Sequence, residues 1–247
     1  EPDLGTSTIR FLTLDMALMN PPRIELWGSR AGDRFGEIQT IVGDLNQDGL
    51  PDIGFASPWA DGPGGVDSGY VGVLFGGRRL TGENVFSVNQ VGTSELPGFR
   101  IHGTQPGGYA GTILNTAGDF NGDGTDDLLI GAPNEERVVN GITRVGVAYL
   151  IFGGSHLSNR EFSLSQVGTD QLPGLVFVSP YAKGSAEEAP IDWINTAGDI
   201  NDDGFADIVI GVSQADYVNP LSPSQRRNNA GEMYLLYGNN VGSNALR

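Results

Sequence analysis

Three short segments of the chain gather oxygen-bearing side chains in one phase: 43–52 reads GDLNQDGLPD, 118–127 reads GDFNGDGTDD and 198–207 reads GDINDDGFAD. Counted from the first aspartate, positions 1, 3, 5 and 9 hold Asp44, Asn46, Asp48 and Asp52, then Asp119, Asn121, Asp123 and Asp127, then Asp199, Asn201, Asp203 and Asp207. A hard cation such as calcium takes six to eight oxygen ligands, and a tight loop with alternate side chains turned inward supplies them. The carbonyl of position 7, from Leu50, Thr125 and Phe205, adds another oxygen. Gly49, Gly124 and Gly204 at position 6 permit the sharp turn. An EF-hand would need a bidentate Glu at position 12, where Phe55, Ile130 and Ile210 stand instead. An ion-free, Asx-rich turn is the alternative, since Asn, Asp and Gly dominate turns. Three copies in the same phase, and the mutual repulsion of their carboxylates, favour the cation. Three calcium sites are therefore expected, with magnesium disfavoured because its small octahedral shell prefers water.

The loops belong to a larger repeat. They stand 75 and 80 residues apart, and their flanks recur in the same order. Val73-Leu74-Phe75-Gly76-Gly77 matches Leu150-Ile151-Phe152-Gly153-Gly154 and Leu235-Leu236-Tyr237-Gly238-Asn239, and 86–93 (FSVNQVGT) matches 162–169 (FSLSQVGT). The repeats run over about 9–80, 81–156 and 157–239, followed by a tail at 240–247, within a single domain. Apolar runs of β-branched and aromatic residues, bounded by Gly, Asp or Pro, read as strands. In the middle copy they fall at Ile113 to Thr116, Leu128 to Ile130, Val147 to Phe152 and Leu175 to Val178. Runs that are apolar at consecutive positions, such as Ile208-Val209-Ile210, imply sheets covered on both faces. The expectation is all-β: four-stranded antiparallel blades of a β-propeller, with a linear β-solenoid as the second choice.

Composition narrows the function. The chain has 247 residues, 38 of them Gly and 14 Pro, no Cys, and a formal charge of -16. Frequent Gly and Pro argue against a helix bundle. No apolar run reaches the roughly 20 residues of a spanning helix, so membrane insertion is not expected. The acidic surface repels nucleic acid. Without cysteine there is no disulfide and no thiolate site. Two histidines, His102 and His156, give little material for an imidazole-based nucleophile system. The expectation is that the chain is not an enzyme.

With the loops and their flanks together, the sequence resembles the FG-GAP repeat, the blade unit of the integrin alpha-subunit propeller and of related bacterial surface and secreted proteins. The middle copy carries Gly108-Tyr109-Ala110-Gly111 before its loop and Gly131-Ala132-Pro133 after it. The first carries Arg34-Phe35-Gly36 and Ala56-Ser57-Pro58. The third departs most, with Ala189-Pro190-Ile191-Asp192 and Gly211-Val212-Ser213. The resemblance implies calcium loops between the first and second strands of each blade, acting as structural stabilisers. The family usually closes a ring of seven blades, and three cannot close alone. Arg23 to Trp27 aligns with the outer strands, and the chain ends just after a third strand, Met233 to Tyr237. Half of a larger ring is expected, completed by a second copy, a protein partner or an unseen continuation of the chain.

The loops between second and third strands lie opposite the calcium hairpins and vary as recognition loops do. Their candidate ligand-binding residues are Trp59, Asp61 and Tyr70, with Asp67 beside them, then Arg137 next to Glu135 and Glu136, then Tyr217, Arg226 and Arg227. Trp27 and Trp193 read as packing residues. The function expected is a calcium-stabilised extracellular scaffold for protein-protein adhesion or assembly. Lectin-like carbohydrate binding, or an accessory module of a secreted enzyme, is the alternative. Trp59 is matched by Asn134 and Gln214 in the other copies, which weakens a repeated sugar site. Extracellular loops of this type bind calcium with Kd on the order of 0.1 to 1 mM, so a cell surface, periplasmic or extracellular setting follows.

Overall fold

The computed structural model describes residues 24–77, 84–158, 160–218 and 226–239. Arg23, the start of the first repeat and the tail at 240–247 lie outside them. Strand β1 (Ile24–Trp27) precedes the first blade, which comprises β2 (Ile38–Gly43), β3 (Asp52–Ser57), β4 (Tyr70–Leu74) and, after β5 (Asn84–Ser87), β6 (Gly98–His102). The second blade is β7 (Ile113–Gly118), β8 (Asp127–Val139), β9 (Ile142–Ile151) and, after β10 (Arg160–Ser163), β11 (Gly174–Val178). The third holds β12 (Trp193–Gly198), β13 (Asp207–Val212) and, beyond a small hairpin of β14 (Tyr217–Val218) with β15 (Arg226–Arg227), β16 (Glu232–Leu236). Within each blade the chain meanders antiparallel, in the order β2-β3-β4-β6, β7-β8-β9-β11 and β12-β13-β16. No α-helix occurs among the described residues, so none there could cross a membrane.

Consecutive apolar residues form these strands because a sheet face is covered wherever a neighbouring blade packs on it, and the second blade is covered on both. All five residues of β4 are buried, as are the last six of β9. One face of the first blade (Val42, Val71, Val73) packs on the second (Leu128, Ile130, Tyr149), and the second blade's other face (Leu129, Ala148, Leu150) packs on the third (Ile208, Ile210). The start of each new repeat crosses its predecessor so closely that only glycine fits beneath it. A Cβ on Gly69 would lie 2.3 Å from the Ala110 carbonyl, and one on Gly146 would lie 2.3 Å from the Ile191 nitrogen. Both glycines also hold left-handed φ of +89° and +87°.

The repeated FSVNQVGT and FSLSQVGT segments have a role that a four-strand meander does not foresee. Each runs as a short strand parallel to the outer strand of the preceding sheet, β5 along β1 and β10 along β6. Each then turns through a 3-10 turn closed by a capping box. Ser87 and Gln90, and Ser163 and Gln166, exchange side-chain and backbone bonds there, with the Gln oxygens accepting the serine N–H at 2.8 Å. Three other sequence expectations are corrected. Glu135, Glu136 and Arg137 lie in the extended strand β8, past a bulge, because β8 and β9 continue pairing to a tip at Val139–Ile142. Tyr70 is a buried strand residue. Trp27 and Trp193 are exposed, with no sheet among the described residues covering them.

Candidate functional site

The three acidic loops connect β2 to β3, β7 to β8 and β12 to β13, and their local structure is the same in each. The position-1 aspartate accepts the N–H of position 5 at 3.0–3.1 Å and that of Gly at position 6 at 2.8–2.9 Å. The position-3 Asn oxygen accepts the position-5 N–H at 2.9–3.1 Å, and the position-5 carboxylate accepts the position-7 N–H of Leu50, Thr125 or Phe205 at 2.9–3.0 Å. Position 4 is left-handed in every loop, at Gln47 (φ 62°), Gly122 (φ 73°) and Asp202 (φ 61°), beside the left-handed Gly at position 6. The sequence marks that requirement only in the second loop, where the residue is glycine.

Position 9 has a second task that spacing alone does not show. Asp52, Asp127 and Asp207 are fully buried, and each joins its loop to the end of its own blade's third strand. One oxygen accepts the N–H of Leu45, Phe120 or Ile200 at 2.9–3.0 Å, and the other that of Gly76, Gly153 or Gly238 at 2.8–2.9 Å. Desolvation pushes the Asp52 carboxyl up to about 6 and the Asp127 carboxyl to about 8, against the lowering effect of those backbone donors.

Neighbouring loops are also bonded to one another. Asp44 exchanges two bonds with Asp126, its N–H reaching Oδ2 at 2.8 Å and its carbonyl accepting the Asp126 N–H at 3.3 Å. Asp119 accepts the Ala206 N–H at 2.9 Å, and the carbonyls of Leu45 and Phe120 accept from Gly154 at 2.8 Å and Asn239 at 3.1 Å. Phe205 lies across Gly122, where a Cβ would meet its ring at 2.1 Å. The acidic loops thus form one hydrogen-bonded belt along one rim of the blades.

As they stand, no three His, Cys, Asp or Glu side chains among the described residues enclose a common point, because the loop carboxylates are turned toward backbone N–H groups. The donor set nonetheless suits a hard cation. A carboxylate offers about four lone-pair sites, so one accepted bond per oxygen leaves further acceptor capacity on positions 1 and 9. The Asn oxygen and the position-7 carbonyl add neutral oxygens of the kind calcium accepts. The residues present fit the ion.

The candidate recognition residues fall into separate groups, one per repeat. Trp59 packs edge-on against Tyr109 at 4.7 Å, with the Arg34 guanidinium 4.6 Å over its ring. Asp61 accepts the Asp67 N–H at 3.0 Å. Arg137 is committed to an internal cluster: it donates to the Tyr149 hydroxyl at 2.7 Å and lies 3.0 Å from the buried Glu135, which also bonds Tyr149 and Thr104. Arg227 stands 5.6 Å over Tyr217, while Arg226 pairs with Asp216 and donates to the Ala186 carbonyl at 2.9 Å. His156 sits in a 3-10 turn, its pKa lowered by burial and then by nearby Arg160.

Stacked antiparallel meanders, two of four strands and one of three among the described residues, each with an acidic loop between its first two strands, define a series of β-propeller blades. The FG-GAP repeat model matches residues 106–151 and 193–236, within the second and third repeats. The chain therefore carries FG-GAP repeats, matched in two of its three copies, and is similar in sequence to integrin alpha subunits. It is 29% identical over 182 residues to a phosphatidylinositol-glycan-specific phospholipase D of Bos taurus, covering 72% of this chain and 18% of that protein. It is 31% identical over 146 residues to integrin alpha-PS2 of Drosophila melanogaster (58% and 9%) and 28% identical over 182 residues to integrin alpha-5 of Xenopus laevis (73% and 14%). The chain spans less than a fifth of the length of each.

Proposed function

We propose that this chain is a non-catalytic, calcium-stabilised propeller scaffold that works outside the cell or at its surface in adhesion or assembly with other proteins. The observation that carries the reading is the loop belt, three copies of one donor set bonded to one another along the rim where neighbouring blades meet. Asp44, Asn46, Asp48, Asp52 and the Leu50 carbonyl, with their equivalents in the other loops, would hold the ions. Calcium would neutralise carboxylates that otherwise repel and fix the loop conformation on which blade contact depends. Millimolar calcium outside cells suits loops of this class. The similarity to integrin alpha subunits supports the protein-binding role, and that to a phospholipase D covers too little of that protein to favour catalysis here.

The ends of the series supply the surfaces for assembly. On the third blade Ile200, Met233 and Tyr237 are exposed, while their counterparts in the second, Phe120, Ala148 and Phe152, are buried by the third. A further blade, from a second copy or a partner, fits that face. Two copies joined end to end would close a six-bladed ring.

The thermal midpoint of Asp123→Ala, read against the unaltered chain, tests the calcium reading. The variant should melt lower in both conditions but by clearly more in calcium, because in chelator it loses only its bonds to the Thr125 N–H and the Asn121 amide, whereas in calcium it also loses the stabilisation that ion binding adds through linkage. Equal losses in both conditions would contradict it.

A further inference from the structure

The second repeat fills with a buried polar cluster the space that the first repeat leaves open. Counted from the position-9 aspartates Asp52 and Asp127, Ala60 and Gly62 occupy the sequence places of Glu135 and Arg137. Where Glu135, Arg137, Tyr149 and Thr104 bond one another, the first repeat has a cavity of about 400 Å³, within the size range of small-ligand sites. Its walls come from the connector after β1, the β3–β4 loop, the outer strand β6 and the parallel strand β10.

Both signs of charge line this cavity. Arg30 and Arg100 oppose Asp33, Asp61 and Glu161, so a ligand of either strong charge meets like charges. Glu161 clamps the floor by accepting from Arg100 at 2.8 Å and pairing with His102 Nε2. That leaves Arg100 Nε and His102 Nδ1 as buried polar atoms with no hydrogen-bond partner. The Tyr70 hydroxyl, 3.5 Å from the Val88 carbonyl, is weakly engaged and kept protonated by burial. The Arg100 and His102 atoms are closed off from solvent, but the walls set the Arg30 donors beside the Asp33 and Asp61 acceptors, which calls for groups that both give and take hydrogen bonds.

We infer that this cavity is a binding site for a neutral polyhydroxylated ligand, a saccharide of one or two rings, held between Arg30, Asp33 and Asp61 at its sides and Tyr70, Arg100 and His102 at its floor. Hydroxyls can accept from the Arg30 guanidinium and donate to the Asp33 and Asp61 carboxylates, which neither a carboxylate nor an ammonium group can do together. The inference is separate from the calcium and assembly reading and gives the first repeat a recognition site of its own. It also accounts for the lack of aromatic residues at equivalent positions in every blade, since the cavity is specific to one repeat.

Saturation-transfer NMR on the full chain in calcium tests it, with the methyl glycosides of glucose, galactose, mannose, fucose and N-acetylglucosamine as probes, and acetate and L-arginine as charged controls. At least one glycoside should receive saturation and the controls should not. Ala60→Glu, which refills the cavity in the manner of the second repeat, should abolish the signal, and Arg30→Ala, at the wall, should weaken binding about tenfold. Circular dichroism confirms that each variant is folded, and should Ala60→Glu unfold, Arg30→Ala carries the test alone. Transfer to none of the glycosides, preference for either charged control, or a glycoside signal unchanged in the folded variants would overturn the assignment. The Asp123→Ala result does not depend on any of these outcomes.

Discussion

The same strand position behaves oppositely in the first blade and in the two that follow it. Ile53, Leu128 and Ile208 each succeed the position-9 aspartate, yet Ile53 is 48% exposed while Leu128 and Ile208 are fully buried. At the other end of the series, Ile200 is 61% exposed, whereas its counterparts Leu45 and Phe120 are 0% and 4% exposed. Glycine repeats the contrast. A Cβ on Gly43 or Gly118 would strike Asp126 or Ala206 of the following repeat, while one on Gly198 would meet nothing within 4 Å. Each repeat encodes an interface on both faces, and its residues become core only where a neighbour arrives. That is the energetic signature of a repeat architecture, in which stability is a sum of units and nearest-neighbour interfaces.

The sharpest way to break this comparison is to truncate equivalent residues. Leu128→Ala should cost about 2–5 kcal/mol in denaturant unfolding, the range for emptying a packed core site. Ile53→Ala should cost under about 1 kcal/mol, because a half-exposed side chain has less to lose. Equal losses would show that the first blade's open face is covered in solution.

The next largest effect separates two aspartates of one loop. Asp127→Ala strips the acceptor from the buried N–H groups of Phe120 and Gly153, at about 1–3 kcal/mol for each donor left unsatisfied. Its midpoint should fall in chelator as well as in calcium. Asp123→Ala, which strips one backbone donor, the Thr125 N–H, should lose less than Asp127→Ala in chelator and more in calcium than in chelator. A position-9 variant silent in chelator would mean that the aspartate serves the ion only.

Smaller still is the effect of backbone relief. Gln47 holds a left-handed conformation that costs a side-chain-bearing residue roughly 1–2 kcal/mol, and the second loop already uses glycine there. Gln47→Gly should raise stability by up to about 1 kcal/mol, while Gly122→Gln should destabilise by more because Phe205 occupies the space. Chemical denaturation of both variants checks the pair.

The smallest effect is that of pH through His156. Its folded pKa lies below the unfolded value near 6.5, so folding disfavours the charged ring. The stability linked to it is complete above that unfolded value and is lost as pH falls through the folded one. His156→Gln should therefore flatten the decline of the midpoint on mild acidification. An unchanged slope would remove His156 from the account.

Much of this was legible in sequence because the repeat displays its own periodicity. The β7, β8 and β11 strands start within a residue of their apolar runs, since burial on both faces makes those runs continuous, whereas β9 begins at Ile142, ahead of the run at Val147, because it goes on pairing with the extended β8. The loops were legible through side-chain chemistry. What escaped depends on neighbours in space. The backbone anchoring by Asp52, Asp127 and Asp207 needs donors from strand ends some 24 to 31 residues away. The exposure of Trp27 and Trp193 goes with the absence of a covering sheet among the described residues, which residue type does not reveal. The recognition candidates were read from loop position alone, and Arg137 proved to be a structural partner of Glu135 and Tyr149.

The central claim is that the three loops hold calcium, and a count of bound ions tests it most directly. Equilibrium dialysis with metal analysis at saturating calcium should give three ions per chain, and two for Asp123→Ala. A chain that binds none, or a variant that retains the full count, would contradict the account.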